Sequence, residues 1–213
     1  MTIEDYQKIF HEIKNNITFI SSSLQLVEKE HPEIKIFPYW NDSMREVRSL
    51  KNMLIELSSA RLCNDLNLKK LSPERFFPEL IHSCMAPFGS SAFSCRIELE
   101  PSMPEIFIDP DRLKRAVFNL VKNSYEAMNG SGVILVTGCC ETSFLRFSLV
   151  DYGGGIPEEY LPKLFMPLET TKPGGTGLGL LISRQIIESH GGRLAIDSRP
   201  QDGCTFSIYL PCT

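Results

Sequence analysis

Apolar side chains recur at Ile3, Tyr6, Phe10, Ile13, Ile17, Ile20, Leu24 and Val27 in alternating steps of three and four. That is the spacing of a heptad seam, and it predicts one long helix. The segment HPEIKIFP follows, and its two prolines, Pro32 and Pro38, disfavour helix at the residues before them. A second helix is predicted from Trp40 to Cys63, with Met44, Val47, Leu50, Leu54 and Leu57 on one side. The two form a hairpin whose arms, at about 25 residues each, are nearly 40 Å long. Packed only on each other, such helices leave part of the apolar stripe in water. A second hairpin covers it as a four-helix bundle, so a homodimer is expected. The alternative is a hairpin lying on the rest of its own chain.

From about Leu71 the pattern changes to mixed helices and strands. Ser72-Pro73 reads as an N-cap followed by a first-turn proline. Asp109-Pro110 repeats that signal, opening a helix that runs to about Met128, where Asn129-Gly130 stops it. Strands are predicted over 96–100, 106–109, 133–140, 144–151, 193–197 and 205–210. The class is α+β with a largely antiparallel or mixed sheet. The boundary falls in NDLNLKKLS, residues 64–72, which divides the chain into a hairpin, 1–68, and an α+β unit, 69–213.

The 213 residues include 22 basic and 26 acidic side chains, a net charge of −4, with 42% hydrophobic and 23% charged residues. This is ordinary for a chain with a core and rules out wholesale disorder. No block of like charges offers a footprint for a polyanion, so nucleic acid is not an expected partner. No apolar stretch reaches the ~18–20 residues that cross a bilayer, and MTIEDYQKIF lacks the layout of a signal peptide. A cytoplasmic protein with no membrane segment is expected. The seven cysteines, Cys63, Cys84, Cys95, Cys139, Cys140, Cys204 and Cys212, are scattered without a C-x-x-C pair and read as reduced, mostly buried thiols.

Candidate chemistry lies where glycine concentrates. Seven of the 14 glycines fall between Gly153 and Gly179. They make two clusters, Asp151-Tyr152-Gly153-Gly154-Gly155 after a strand and Gly174-Gly175-Thr176-Gly177-Leu178-Gly179 opening a helix. Glycine permits close backbone approach, and N–H groups at a helix start attract phosphate oxygens. On the helix from Pro110, Asn119 and Asn123 share a face opposite Leu113, Val117, Leu120, Val121 and Ser124. The Asn123 amide oxygen can hold a hard cation such as Mg²⁺ beside phosphates. In the first helix, if Phe10, Ile13 and Ile17 occupy the seam, His11, Glu12 and Asn15 lie outside it. His11 and Asn15, four apart, share an outer face. The other histidines fit structural roles: His31 in the proline turn, His82 in a packed helix and His190 at a helix C-cap.

Asn119-Leu-Val-Lys-Asn123, Asp151-x-Gly-x-Gly155, Phe165-x-Pro167 and Gly175-Thr-Gly-Leu-Gly179 resemble, in order and spacing, the N, G1, F and G2 boxes of the Bergerat-type ATP-binding domain. That domain is shared by histidine kinases, gyrase B, Hsp90 and MutL. Upstream, His11-Glu12-Ile13-Lys14-Asn15 looks like the H box of a sensor histidine kinase. The whole chain therefore resembles a dimerisation hairpin followed by a Bergerat-type α/β sandwich. The resemblance implies that Asp151 accepts a hydrogen bond from the adenine amine of ATP, with Gly153 and Gly155 shaping its loop. It further implies that Asn123 ligates Mg²⁺, supported by Asn119, and that Lys122 or Lys172 offsets phosphate charge. Residues 166–178 are expected to act as a lid, with Thr171, Lys172, Gly175, Thr176, Gly177, Leu178 and, just beyond it, Gly179 at the nucleotide. The resemblance also implies that His11 is the phosphoacceptor with Nε2 as the attacking atom, and that Glu12 takes or orients its proton. Asn15 stands where such kinases carry the residue that positions water for dephosphorylating the partner, a response regulator.

The pattern has departures. Asn16 replaces a proline common five residues after the histidine, Leu168 a second phenylalanine and Ser124 an alanine. These touch local packing. Only ten residues precede His11, so a cut-down core, or one that receives its signal through a partner, is expected. Rival readings on the same ATP fold are a dimer-clamping ATPase, a serine or threonine kinase, and a nucleotide-binding adaptor without chemistry.

Overall fold

The heptad helix is α1, Ile3–Glu30, and a single 3₁₀ turn over Pro32–Ile36 joins it to α2, Pro38–Ala60. The computed structural model describes residues 3–60, 66–89, 92–166, 169–170 and 176–212, with the backbone alone for 3–11, 52–53 and 55–60. Trp40 Nε1 donates to Glu28 at 3.3 Å and Lys35 pairs with the same carboxylate at 2.9 Å, pinning the hairpin's closed end. The face of α1 turned inward is centred on Ile17, Ser21 and Leu24, and Ser21 is only 2% exposed. Ile13 and Ile20, expected in the seam, stand 43% and 44% exposed. A 3.6-residue helix spreads a heptad stripe over two flanks, and one partner helix covers only one of them. Helix α2 also lies against a later helix, Gly179–Ser189.

Beyond the hairpin the order is β1 (Lys69–Leu71), α3 (Pro73–Met85), β2 (Phe93–Leu99), β3 (Ile106–Ile108), α4 (Pro110–Ala127), β4 (Gly132–Glu141), β5 (Phe144–Asp151), α5 (Gly179–Ser189), β6 (Arg193–Arg199) and β7 (Gly203–Pro211). Five strands form a mixed sheet in the order β2-β4-β5-β7-β6, parallel only between β2 and β4, while β1 and β3 make a small antiparallel ribbon. Alternate residues of the central strands, among them Ile134, Val136, Leu145, Phe147, Leu149, Phe206 and Ile208, are buried against the helices. Phe77 of α3 stacks on Phe147 at 4.0 Å between ring centroids. The mixed α+β class is as expected. Strand β1 was not, because three residues, two of them lysine, display no period.

Two cap expectations divide. Asp109 caps α4, its Oδ1 accepting from the Arg112 N–H at 3.1 Å, but the Ser72 side chain makes no cap bond to α3. Proline in the first turn suffices at Ser72, since it needs no N–H acceptor there. His190 ends α5 and does more: its Nε2 accepts from the Asp109 N–H at 3.0 Å and its Nδ1 faces the Ile186 carbonyl at 2.7 Å. The ring thus ties the end of α5 to the start of α4. His82 lies, as expected, in a packed helix, α3, with its own ring exposed and Nδ1 at the Pro78 carbonyl. The cysteines need correction. Cys84 and Cys204 are buried, but Cys95, Cys139 and Cys212 are half-buried and Cys140 is exposed. Cys63 lies outside the described residues. No disulfide occurs among the described residues, and no described helix is long and apolar enough to cross a membrane.

Burial alone would raise the Asp109 pKa, but N–H bonds from Arg112 and Asn67 and the Arg112 guanidinium outweigh it and hold the carboxyl below its ordinary range. A depressed folded-state pKa stabilises above the unfolded value and is lost as pH falls through the folded one. Denaturant unfolding should therefore find Asp109→Asn less stable than wild type by about 1 kcal/mol at neutral pH. That gap should close below about pH 4. A gap independent of pH would exclude the ionised cap.

Candidate active site

Along β5 the residues Leu145, Phe147 and Leu149 point toward the helices, and the two-residue period places Asp151 last in that row. A carboxylate thus ends an apolar stripe at 1% exposure. An ionised group at such a site must be hydrogen-bonded. Ser124 Oγ of α4 donates to Asp151 Oδ2 at 3.0 Å, and the Gly153 N–H donates to Oδ1 at 3.1 Å. Cys204 is the register partner of Asp151 on β7. Burial first, and then the charge of Asp151, push its thiol up to about 12, so it stays neutral at physiological pH.

After Asp151 the chain turns back over the β6–β7 connection. Gln201 N–H donates to the Gly154 carbonyl at 2.8 Å and Ile156 N–H to Ser198 Oγ at 2.8 Å. Two positions there exclude a side chain. Gly155 has φ +68° and a Cβ would lie 2.1 Å from the Arg199 carbonyl oxygen; Gly203 has φ +95° and a Cβ would lie 2.0 Å from that of Asp151.

Asp151 opens onto a cavity of about 520 Å³, a size that suits a nucleotide. Asn119, Lys122 and Asn123 of α4 line one wall, while Gly155, Thr176, Gly177 and Gly179 border it elsewhere. Asn119 is committed to the fold, with Nδ2 donating to the Gly179 carbonyl at 3.2 Å and 3.4 Å from Ser183 Oγ. It thereby anchors the first turn of α5 beside the cavity. Lys122 lies 3.8 Å from Glu126 one turn on. Leu178 is buried and its N–H reaches Thr176 Oγ1 at 3.4 Å, which orders the entry to α5. Arg184 of α5 stands over the Phe165 ring at 4.9 Å.

The structure therefore brings Asn119, Lys122, Asn123, Asp151, Gly155, Thr176, Gly177 and Gly179 together around one cavity. Gly153 lies beneath it through its bond to Asp151. Thr171, Lys172 and Gly175, and with them most of the expected lid, lie outside the described residues, as does the His11 side chain. Glu12 and Asn15 are exposed on α1. Sequence reading missed Tyr160 and Lys163, which line the cavity from a 3₁₀ segment, and Cys204 and Phe206, which line it from β7. The last two were legible as alternate residues of a strand beginning two residues earlier than expected. The former had no signal, because a short 3₁₀ segment shows no helical or strand period.

The buried carboxylate acceptor suits a planar base bearing an amine, and Asn123 and the exposed Lys122 on the same wall suit phosphates. No group of three or more acidic, histidine or cysteine ligands occurs among the described residues. Mg²⁺ nonetheless fits, because it keeps most of its water and is held by one or two protein oxygens plus phosphates.

Residues 108–213 match the family of histidine kinase-, DNA gyrase B- and HSP90-like ATPases. Sporulation kinase E of Bacillus subtilis (strain 168) is 30% identical over 204 residues, covering 95% of this chain and 28% of its own. The chain spans between 25% and 60% of the length of the curated relatives it matches. The catalytic domain of histidine kinase ThkA is 30% identical with TM-score 0.61, covering 70% of this chain and 97% of its own. Full-length ShkA, solved with AMPPNP, has TM-score 0.78 over 99% of this chain and 46% of its own at 19% identity, a likeness of fold. By the match of its C-terminal half, and by near-complete coverage of the ThkA catalytic domain, the chain belongs to the histidine kinase-, DNA gyrase B- and HSP90-like ATPase family and is a relative of the sensor histidine kinases.

Proposed function

We propose that this chain is the core of an ATP-dependent protein-histidine kinase, with residues 1–68 as dimerisation and phosphoacceptor hairpin and 69–213 as the ATP-binding domain. The observation that carries the reading is the buried Asp151 carboxylate lining a nucleotide-sized cavity walled by Asn119, Lys122 and Asn123. The same chain presents Glu12 and Asn15, exposed, on the helix that bears His11.

Asp151 accepts the exocyclic amine of adenine. Guanine places an oxygen there, and two acceptors face to face repel, so ATP is preferred over GTP. The Asn123 amide oxygen holds Mg²⁺, which when bound neutralises charge on the phosphates. Asn119 keeps the first turn of α5 in place, Lys122 offsets phosphate charge, and residues 166–178 close over the nucleotide. The neutral His11 imidazole attacks the γ-phosphorus in line through Nε2. A nitrogen–phosphorus bond forms, the bond to the ADP oxygen breaks, and Glu12 takes or orients the ring proton. AMPPNP, an ATP analogue, is the ligand recorded with ShkA.

The phosphoryl group then passes to an aspartate of a response regulator in the cytoplasm. Asn15, four residues beyond His11, would orient a water that hydrolyses the regulator's aspartyl phosphate to carboxylate and inorganic phosphate, a regulator phosphatase activity. A homodimer completes the bundle: Phe19, Leu26, Ile13 and Ile20 of α1 are 74%, 55%, 43% and 44% exposed in the single chain, more apolar surface than a lone hairpin tolerates.

Incubation with γ-labelled ATP and Mg²⁺ tests the reading. Label that is lost in acid, survives alkali and is absent from His11→Gln is expected. Acid-stable label, or undiminished label in His11→Gln, would point to a serine or threonine kinase, and phosphate release without any label to an ATPase.

A further inference from the structure

We infer that Ser124 is a positioning residue for base recognition, acting through Asp151; the inference rests on the nucleotide reading of the cavity. Ser124 is wholly buried, Asp151 is 1% exposed, and Ser124 Oγ lies 3.0 Å from Asp151 Oδ2. Asp151 borders the cavity, whereas Ser124 stands behind it on α4. A ligand therefore meets the carboxylate and never the hydroxyl.

The geometry has a consequence for direction. A serine within a helix ordinarily turns its hydroxyl back to the carbonyl four residues earlier. Here the hydroxyl is spent on another element. With the Gly153 N–H on Oδ1 at 3.1 Å, each carboxylate oxygen has a fixed donor, so rotation about the last side-chain bond is blocked from both sides. The remaining lone pairs are aimed by the protein before any base arrives. Preorganisation of this kind improves binding by removing the ordering cost at the moment of binding. Sequence comparison with the family's usual alanine suggests only local packing at this position, and the hydroxyl's partner gives it a role in specificity instead.

The test uses the full chain and two nucleotides that differ only in the group Asp151 reads, ATP and purine riboside 5′-triphosphate, which lacks the amine. Dissociation constants are measured for wild type, Ser124→Ala and Ser124→Cys, with thermal melting as a check on folding. Wild type should prefer ATP. In Ser124→Ala that preference should shrink roughly tenfold through weaker ATP binding, with affinity for the purine analogue within about twofold of wild type. Ser124→Cys, whose thiol is a weak donor of similar shape, should fall between, and it decides the matter if the alanine variant does not fold. An unchanged preference in the variants, or equal weakening of both nucleotides, would overturn the inference and leave Ser124 a packing residue. A wild type that binds both equally would instead overturn the reading of Asp151 itself, and the inference with it.

Discussion

Asp151→Asn is expected to weaken ATP binding by about two to three orders of magnitude while leaving the protein folded. Two donors already meet the carboxylate, Ser124 Oγ on Oδ2 and the Gly153 N–H on Oδ1, and in the proposed complex the adenine amine would be the third. An amide has one oxygen and one NH₂ in the same space. Whichever way it turns, its NH₂ meets a donor. If the oxygen satisfies Gly153, the NH₂ can be met by Ser124 only if that hydroxyl rotates to accept, and the amine of the base then loses its charged acceptor. One charge-assisted bond is lost and one buried donor is left poorly paired, together about 3–4 kcal/mol. Titration calorimetry with ATP measures the loss, and thermal melting separates it from unfolding. Affinity within threefold of wild type would remove Asp151 from recognition.

Gly155→Ala should have an effect of similar size through the backbone. The position needs φ +68°, and the new methyl would lie 2.1 Å from the Arg199 carbonyl oxygen and 3.2 Å from that of Gly203. Neither obstacle is the movable end of a side chain. The loop must lift away, and with it go the Gln201 bond to the Gly154 carbonyl and the Ile156 bond to Ser198. A cost of about 3 kcal/mol or more is expected. In denaturant titration the midpoint should fall, and at temperatures where the variant remains folded its nucleotide affinity should fall too. Gly154→Ala makes the control, because a Cβ there meets nothing within 4 Å. Equal behaviour of the two variants would show that the turn tolerates the displacement.

Much of this architecture was written in local pattern. Strand β5 was read to its exact bounds, 144–151, because an apolar alternation ended by an acidic residue and three glycines has one reading. Helix α4 was read to within a residue of its cap, since Asp109-Pro110 and Asn129-Gly130 bracket an amphipathic run. The seam of α1 was read as wider than one partner helix covers, and in the single chain Ile17, Ser21 and Leu24 turn inward while Ile13 and Ile20 stay exposed. Heptad spacing shows that a stripe exists, but which flank is covered depends on where α2 packs, and the small, buried Ser21 lies on that line rather than Ile20. Likewise Tyr160 and Lys163 reach the cavity only because the segment after Gly155 folds back across it.

From the order of residues alone follow the hairpin, the mixed α+β unit and the glycine turns, because each arises between residues a few positions apart, where helix and strand periods govern; the boxes pointed to a nucleotide cavity only through their resemblance to a known family. The tertiary structure decided what lies across those elements: the Ser124 hydroxyl on Asp151, Cys204 beside it, Asn119 spent on α5 and His190 joining α5 to α4. These pairs are 27 to 81 residues apart in the chain. They meet only when the register of a mixed sheet and the packing of its helices are set, and no periodicity along the chain encodes that distance.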